Sequence, residues 1–162
     1  MERGNDSFAA RGGWWVVAQG VLLLAVVGLP VAERRTNGGA TWASDGLFLL
    51  GAVLFALGGW LGIAGVRDLG INRTAYPRPK DHGTLIQTGA YGLVRHPLYG
   101  SLVLASFGWG LLWNSWPVLV AAALLTVLLN AKASVEERWL LQKYPEYESY
   151  RHRVKRLLPW VW

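Results

Sequence analysis

The sequence predicts an all-α, membrane-integral fold. It has about four transmembrane helices, the last two a tight hairpin, followed by a helical tail at the cytoplasmic interface. Three observations carry this expectation. The chain is 52% hydrophobic yet has a formal net charge of +6, so apolar and basic residues are segregated along it. The apolar residues come in long runs, near 14–31, 46–66, 98–113 and 118–133. Ten tryptophans suit the amphipathic boundary between bilayer and water. The absence of cysteine excludes a disulfide, a thiol nucleophile and a thiolate metal site. Beside such runs, a basic excess points to an anionic membrane surface and not to nucleic acid.

The first run, 14–31, follows Arg3 and Arg11, begins with Trp14-Trp15 and ends at Glu33-Arg34-Arg35. It is too long, and too aromatic at its start, for a cleaved leader, so it is predicted to be a retained span. The second, 46–66, is also about long enough for a ~30 Å hydrocarbon core. Its Gly51, Gly58, Gly62 and Gly65 form one small-residue stripe, as close helix packing in lipid requires. The third and fourth runs are shorter, and only Asn114-Ser115-Trp116-Pro117 separates them, the pattern of a tight helical hairpin whose turn just reaches the far interface, or of a re-entrant hairpin. Pro97 suits a helix start, because its missing N–H has no helical partner there.

The fourth helix is predicted to continue past Ala133 through Glu136, Glu137, Leu140 and Leu141 until Pro145 stops it. A short second helix follows. Tyr147, Tyr150, Val154, Leu157 and Leu158 form its apolar face, and Arg151, Arg153, Lys155 and Arg156 the other, as in an interfacial helix finished by Trp160 and Trp162. Orientation follows from the basic residues. With the N-terminus inside, Arg3, Arg11, Arg67, Arg73, Arg78, Lys80, Arg95 and the tail are cytoplasmic, and only Arg34 and Arg35 lie outside. Trp42, Trp113 and Trp116 then mark the outer boundary. The small chain suits a multi-pass protein of a prokaryotic plasma membrane, with both termini cytoplasmic.

Two polar clusters fall at the same end of the hairpin. Residues 88–99 read Thr-Gly-Ala-Tyr-Gly-Leu-Val-Arg-His-Pro-Leu-Tyr, which places Arg95 and His96 at the positive end of a helix. Lys132, Glu136 and Glu137 lie at the inner end of the next helix, with Lys132 and Glu136 on one face. Cations facing a carboxylate pair across a small gap suit a zwitterion with a free amine and a carboxylate. His82, His96 and His152 have no close metal-ligand spacing, so no metal site is predicted. No glycine loop of the nucleotide-fold type occurs.

Gly89-Ala90-Tyr91 with Arg95-His96-Pro97-Leu98-Tyr99, then Glu136-Glu137 and Tyr144-Pro145-Glu146-Tyr147 with Tyr150, resembles the isoprenylcysteine carboxyl methyltransferases and the related phospholipid methyltransferases. The likeness covers roughly 77–159 of a single domain spanning 1–162. It implies S-adenosylmethionine as cofactor, contacted by Leu85, Ile86, Tyr91, Arg95, His96, Pro97, Leu98 and Tyr99, with Glu136 holding its amine. It also implies that Lys132, where the family usually has Arg, meets the substrate; Lys offers a point charge where Arg offers a planar fork. A second departure is Gly100-Ser101, which shifts the family's small residue by one.

The expected reaction is methyl transfer to a lipidic or isoprenoid acceptor at the cytoplasmic interface. A carboxylate acceptor needs no base, whereas Glu137 or His96 would take a proton from an amine. Carboxylate, amine and thiol acceptors stay open. Two other classes compete: an NADPH-dependent membrane reductase of the steroid-reductase kind, and a non-catalytic membrane scaffold.

Overall fold

A computed structural model describes residues 7–9, 11–37, 45–79 and 82–158. The expectations placed on Arg3, Trp42, Lys80, Trp160 and Trp162 lie outside the described residues. The architecture is helical: α1 (Gly13–Asn37), α2 (Asp45–Leu69), a 3₁₀ turn (Gly70–Asn72), α3 (Ala90–Leu93), α4 (Pro97–Leu112), α5 (Trp116–Lys143) and α6 (Tyr147–Arg153). Three stretches are long and apolar enough to cross a membrane: Gly13–Arg35, Asp45–Asn72 and Trp116–Lys143. The fourth, α4, is apolar but has 16 residues. At 1.5 Å per residue it reaches about 24 Å, short of a ~30 Å core. The outward faces are what lipid demands, with Leu24 75% and Ile63 64% exposed.

The central helix is α4. One side lies along α2 and the other meets α5, while α1 packs on α5; among the described residues α1 and α2 make no contact with each other. The α2–α4 seam is a backbone-to-backbone approach. A Cβ at Gly58 would stand 2.7 Å from the Ala105 nitrogen, and one at Gly108 would stand 2.5 Å from the Phe55 nitrogen. The glycine stripe of the sequence is therefore the surface on which α4 lies. Across α4, Val103 packs with Leu125 and Leu129 of α5, and Val26 of α1 packs with Val118 and Ala121.

Pro97 starts α4, and at the far end of that helix a serine N-cap, Ser115, starts α5 after the short α4–α5 connection; Ser115 Oγ accepts from the Val118 N–H at 3.3 Å. Ser115 also donates to Glu33, and the Arg34 guanidinium lies 4.2 Å over the Trp113 ring, so this turn is tied to the end of α1. At the other end, α5 continues ten residues past Ala133, and at about 42 Å it outruns the hydrocarbon core. That overhang carries Glu136 and Glu137.

The tail differs from a helix lying with its aromatic face in lipid. Tyr147 and Tyr150 are 1% and 2% exposed and pack into the protein, where Tyr150 donates to the Tyr91 carbonyl at 2.6 Å.

The seam is directly testable. Gly58→Ala forces backbone apart and is expected to destabilise the detergent-solubilised protein by about 1–3 kcal/mol. The adjacent Gly59, with nothing within 4 Å of an added Cβ, is the control: Gly59→Ala is expected to leave the melting temperature unchanged or slightly raised. Equal melting temperatures for the two variants would refute this packing.

Candidate functional site

The site starts where a chain segment with no regular structure must be fixed. Residues 82–89 run between the end of α2 and α3, and three side chains pin the approach. Asn72 accepts from the Thr84 N–H at 3.1 Å and donates to the Thr84 hydroxyl at 3.2 Å. Tyr144 donates to the Gly83 carbonyl at 2.6 Å. Asp68 accepts from the Ala90 N–H at 2.7 Å, capping α3, and Gly89 (φ 61°) has no room for a Cβ beside that carboxylate. Leu85, Ile86 and Tyr91 are thereby held in place.

The start of α4 is fixed by the tail. Val94 and Lys155 form a parallel bridge, and the Arg95 and His96 N–H groups donate to the Lys155 and Arg156 carbonyls at 2.8 and 3.0 Å. Side chains complete the join around Glu137, which is 5% exposed. Its Oε1 accepts from Arg95 Nε at 2.9 Å, lies 3.2 Å from His96 Nε2 and accepts from Arg156 Nε at 3.2 Å; its Oε2 accepts from Arg156 Nη2 at 2.6 Å. Arg156 also donates to Asn130 and Ser134 of α5, each at 3.0 Å, and Arg95 to the Arg151 carbonyl at 2.8 Å. A carboxylate this buried is tolerable because it is fully paired.

Beside this knot lies a cavity that opens to solvent at its mouth. Its walls include Leu85, Ile86, Tyr91, Arg95, His96, Leu98, Tyr99, Glu136, Leu140 and Tyr147. The Tyr99 hydroxyl donates to Glu136 Oε2 at 2.6 Å, and the Tyr99 and His96 rings stack at 5.3 Å. His96 Nδ1 stands 3.8 Å from the same Glu136 oxygen, so the imidazole lies between the two glutamates. Burial pushes the phenols of Tyr91, Tyr147 and Tyr150 well above their ordinary range, the negative charge of Glu136 adding to it at Tyr91 and that of Glu137 at Tyr147 and Tyr150. They keep their protons and act as donors. Tyr150 uses its proton on the Tyr91 carbonyl, whereas the buried Tyr147 hydroxyl has no hydrogen-bond partner among the described residues. An unmet buried donor costs about 1–3 kcal/mol unless a ligand accepts from it.

Of the residues singled out in the sequence, Leu85, Ile86, Tyr91, Arg95, His96, Leu98, Tyr99 and Glu136 therefore share one cavity. The others lie elsewhere. Pro97 faces α2, its ring 3.2 Å from where a Gly65 Cβ would stand. Glu137 sits in the ion-pair knot, outside the cavity lining. Lys132 lines a neighbouring cavity. Sequence reasoning did not single out Asp68, Gln19 or Arg156. Arg156 was read as one of several cations on a polar face, and nothing in the spacing marks it as the one that turns inward.

Comparison with known proteins extends this description. The family model for phospholipid methyltransferases matches residues 47–147. The cobalt-zinc-cadmium resistance protein CzcN of Cupriavidus metallidurans is 32% identical over 165 residues, covering 98% of this chain and 69% of that protein. The nickel-cobalt-cadmium resistance protein NccN of Alcaligenes xylosoxydans xylosoxydans is 28% identical over 160 residues, covering 95% and 68%. The family match ends before Arg156, yet that side chain holds the matched Glu137. Arg156→Ala is expected to lower stability by about 1–3 kcal/mol, read as a fall in melting temperature, with Arg95 and His96 retaining part of the pairing; an unchanged melting temperature would deny the tail this role. The helical membrane fold, the Arg-His-Pro helix start with its two glutamates, and the match over most of the chain agree: the chain belongs to the phospholipid methyltransferase family of membrane methyltransferases.

Proposed function

We propose that this protein is an S-adenosylmethionine-dependent methyltransferase acting on a lipid-soluble acceptor at the cytoplasmic face of a prokaryotic plasma membrane. The observation that carries the reading is the composition of the cavity. One cavity joins a carboxylate (Glu136), a buried phenol with no hydrogen-bond partner among the described residues (Tyr147) and apolar walls at Leu85, Ile86, Leu98 and Leu140. An amino-acid zwitterion attached to a nucleoside needs that set: an acceptor for its ammonium, a donor for its carboxylate and an apolar bed for the rest. S-adenosylmethionine, when bound, supplies an electrophilic methyl group on a sulfonium.

The chain's own residues then have simple tasks. Glu136, oriented by the Tyr99 hydroxyl, accepts from the ammonium. Tyr147 donates to the carboxylate. Arg95, His96 and Glu137 hold the start of α4 against the tail, so the cavity keeps its shape without the ligand. Positioning at a water-poor boundary is the main contribution asked of the protein, since reacting atoms held in line and shielded from solvent need little further help. The two relatives are named for metal resistance. No group of three His, Cys, Asp or Glu side chains placed to hold a metal ion occurs among the described residues, and the proposal rests on the cofactor cavity.

Calorimetric titration of the detergent-solubilised protein tests this. Saturable binding of S-adenosylmethionine is expected, weakened about 10-fold or more by Glu136→Gln and about 3–10-fold by Tyr147→Phe, in line with losing a charge-assisted and a neutral-donor hydrogen bond. Melting temperatures are expected to stay near that of the parent protein. Saturable NADPH binding without S-adenosylmethionine binding would refute the proposal.

A further inference from the structure

Residues 73–79 leave the end of α2 without regular secondary structure and form part of the wall of two cavities. Thr74 and Pro79 line the cavity that holds Glu136, and Thr74 and Ala75 line its neighbour beside Lys132. The segment is a strap held from more than one side. Arg73 Nε donates to the Gly70 carbonyl at 2.9 Å, and the Tyr76 N–H donates to the Thr74 hydroxyl at 3.2 Å. On the α5 side, Lys132 Nζ donates to the Ala75 carbonyl at 3.0 Å and to Gln19 Oε1 of α1 at 2.7 Å. The Arg78 guanidinium lies 5.5 Å from the centre of the Trp139 ring.

Another hold comes from the residues before α1. A turn folds 7–13 back on itself: the Gly12 N–H donates to the Ala9 carbonyl and the Gly13 N–H to the Phe8 carbonyl, each at 2.9 Å. Phe8 and Arg11 thereby meet one ring. Phe8 packs edge-to-face with Tyr76 at 6.3 Å, and the Arg11 guanidinium lies 4.9 Å over the same ring. Next to them, a Cβ at Gly12 would stand 2.5 Å from Pro77 Cγ, and the Gly12 φ of 80° is one that glycine adopts at no steric cost. Close approach and backbone conformation thus make the same demand at the point of contact. The holds differ in exposure. Lys132 and Pro77 are buried, whereas Phe8 is 43% exposed and Arg11 is exposed. Exposed contacts between a turn and a loop open locally without loss of the bundle. The turn lies outside the matched family region of 47–147, so family membership assigns it nothing.

We propose that residues 7–13 are a clasp on the 73–79 strap, and that its opening sets how fast the Glu136 cavity exchanges its ligand with water. The inference rests on the reading of that cavity as the methyl-donor site. With the clasp closed, Phe8 and Arg11 hold Tyr76, and Thr74 and Pro79 stay at the cavity wall. Release removes the backing of the strap on the α1 side and widens the cavity at those two residues. The clasp acts on rate and leaves affinity alone. None of Phe8, Arg11, Gly12 and Tyr76 lines the cavity, so their contacts are the same whether it is empty or filled. An interaction equal in both states shifts no binding equilibrium, and loosening it lowers the barrier from both sides.

The experiment measures association and dissociation of tritiated S-adenosylmethionine on the detergent-solubilised full chain, with amide hydrogen exchange of the ligand-free protein in parallel. Arg11→Ala is expected to speed both steps about two- to fivefold, and Phe8→Ala with Arg11→Ala about 10-fold, as loss of an exposed cation–π contact and of an aromatic pair implies. The dissociation constant is expected to stay within about twofold, and the melting temperature near that of the parent protein. Arg11→Lys, which keeps a cation over the ring, is expected to behave like the parent. Amides in 73–78 are expected to exchange faster in the double variant, and those in 129–137 to be unchanged. Unaltered rates, or faster dissociation without faster association, would overturn the proposal. If the protein never binds S-adenosylmethionine, the methyl-donor reading fails and hydrogen exchange decides for the clasp: faster exchange in 73–78 upholds it, and unchanged exchange overturns it.

Discussion

The structure depends on where one buried carboxylate finds its partners. Glu137 sits on the overhang of α5, and its oxygens are held by Arg95 and His96 from the start of α4 and by Arg156 from the tail. Arg95 lies 42 positions from Glu137 in the sequence and Arg156 lies 19. Breaking the group would strand a charge away from water, so the pairing fixes the relative position of helix start, helix end and tail more firmly than apolar contact alone would. The bridge between Val94 and Lys155 runs alongside it and supplies backbone hydrogen bonds at a helix start that has no side-chain cap.

With that corner fixed, the rest follows from packing. α4 lies against α2 at a distance only small residues permit, and α5 meets its other side. The cavity forms beside the knot because the segment from Gly83 to Gly89 is tethered at Asn72 and Tyr144 and cannot collapse onto Glu136. Polar chemistry is thus assembled at the end of an apolar bundle.

The sequence made much of this legible. Long apolar runs announce membrane helices whatever their partners, and Pro97 and Pro145 mark the start of α4 and the end of α5 to within a few residues. The glycine stripe on α2 named its own packing face. The return of a hairpin brought Arg95 and His96 near Glu136 and Glu137, and a separation of 3.8 Å between His96 and Glu136 shows how close. What stayed hidden depends on contacts made across long sequence intervals. Spacing gave Glu136 and Glu137 similar standing, whereas one helical step places the first in the cavity wall and the second in the ion-pair knot. Tyr147 and Tyr150 read as one apolar face because hydropathy does not register where a hydroxyl can find a partner. Gln19 was one polar residue in an apolar run, and only the approach of Lys132 across 113 positions gives it a role.

In the proposed enzyme the tail and the start of α4 close one cavity together. Hydrogen exchange, followed by mass spectrometry with and without S-adenosylmethionine, reads both at once. Amides in 90–100 and in 147–156 are expected to slow together when S-adenosylmethionine is added, and to be unchanged by NADPH. Cofactor-dependent protection confined to one of these segments, or absent from both, would contradict it.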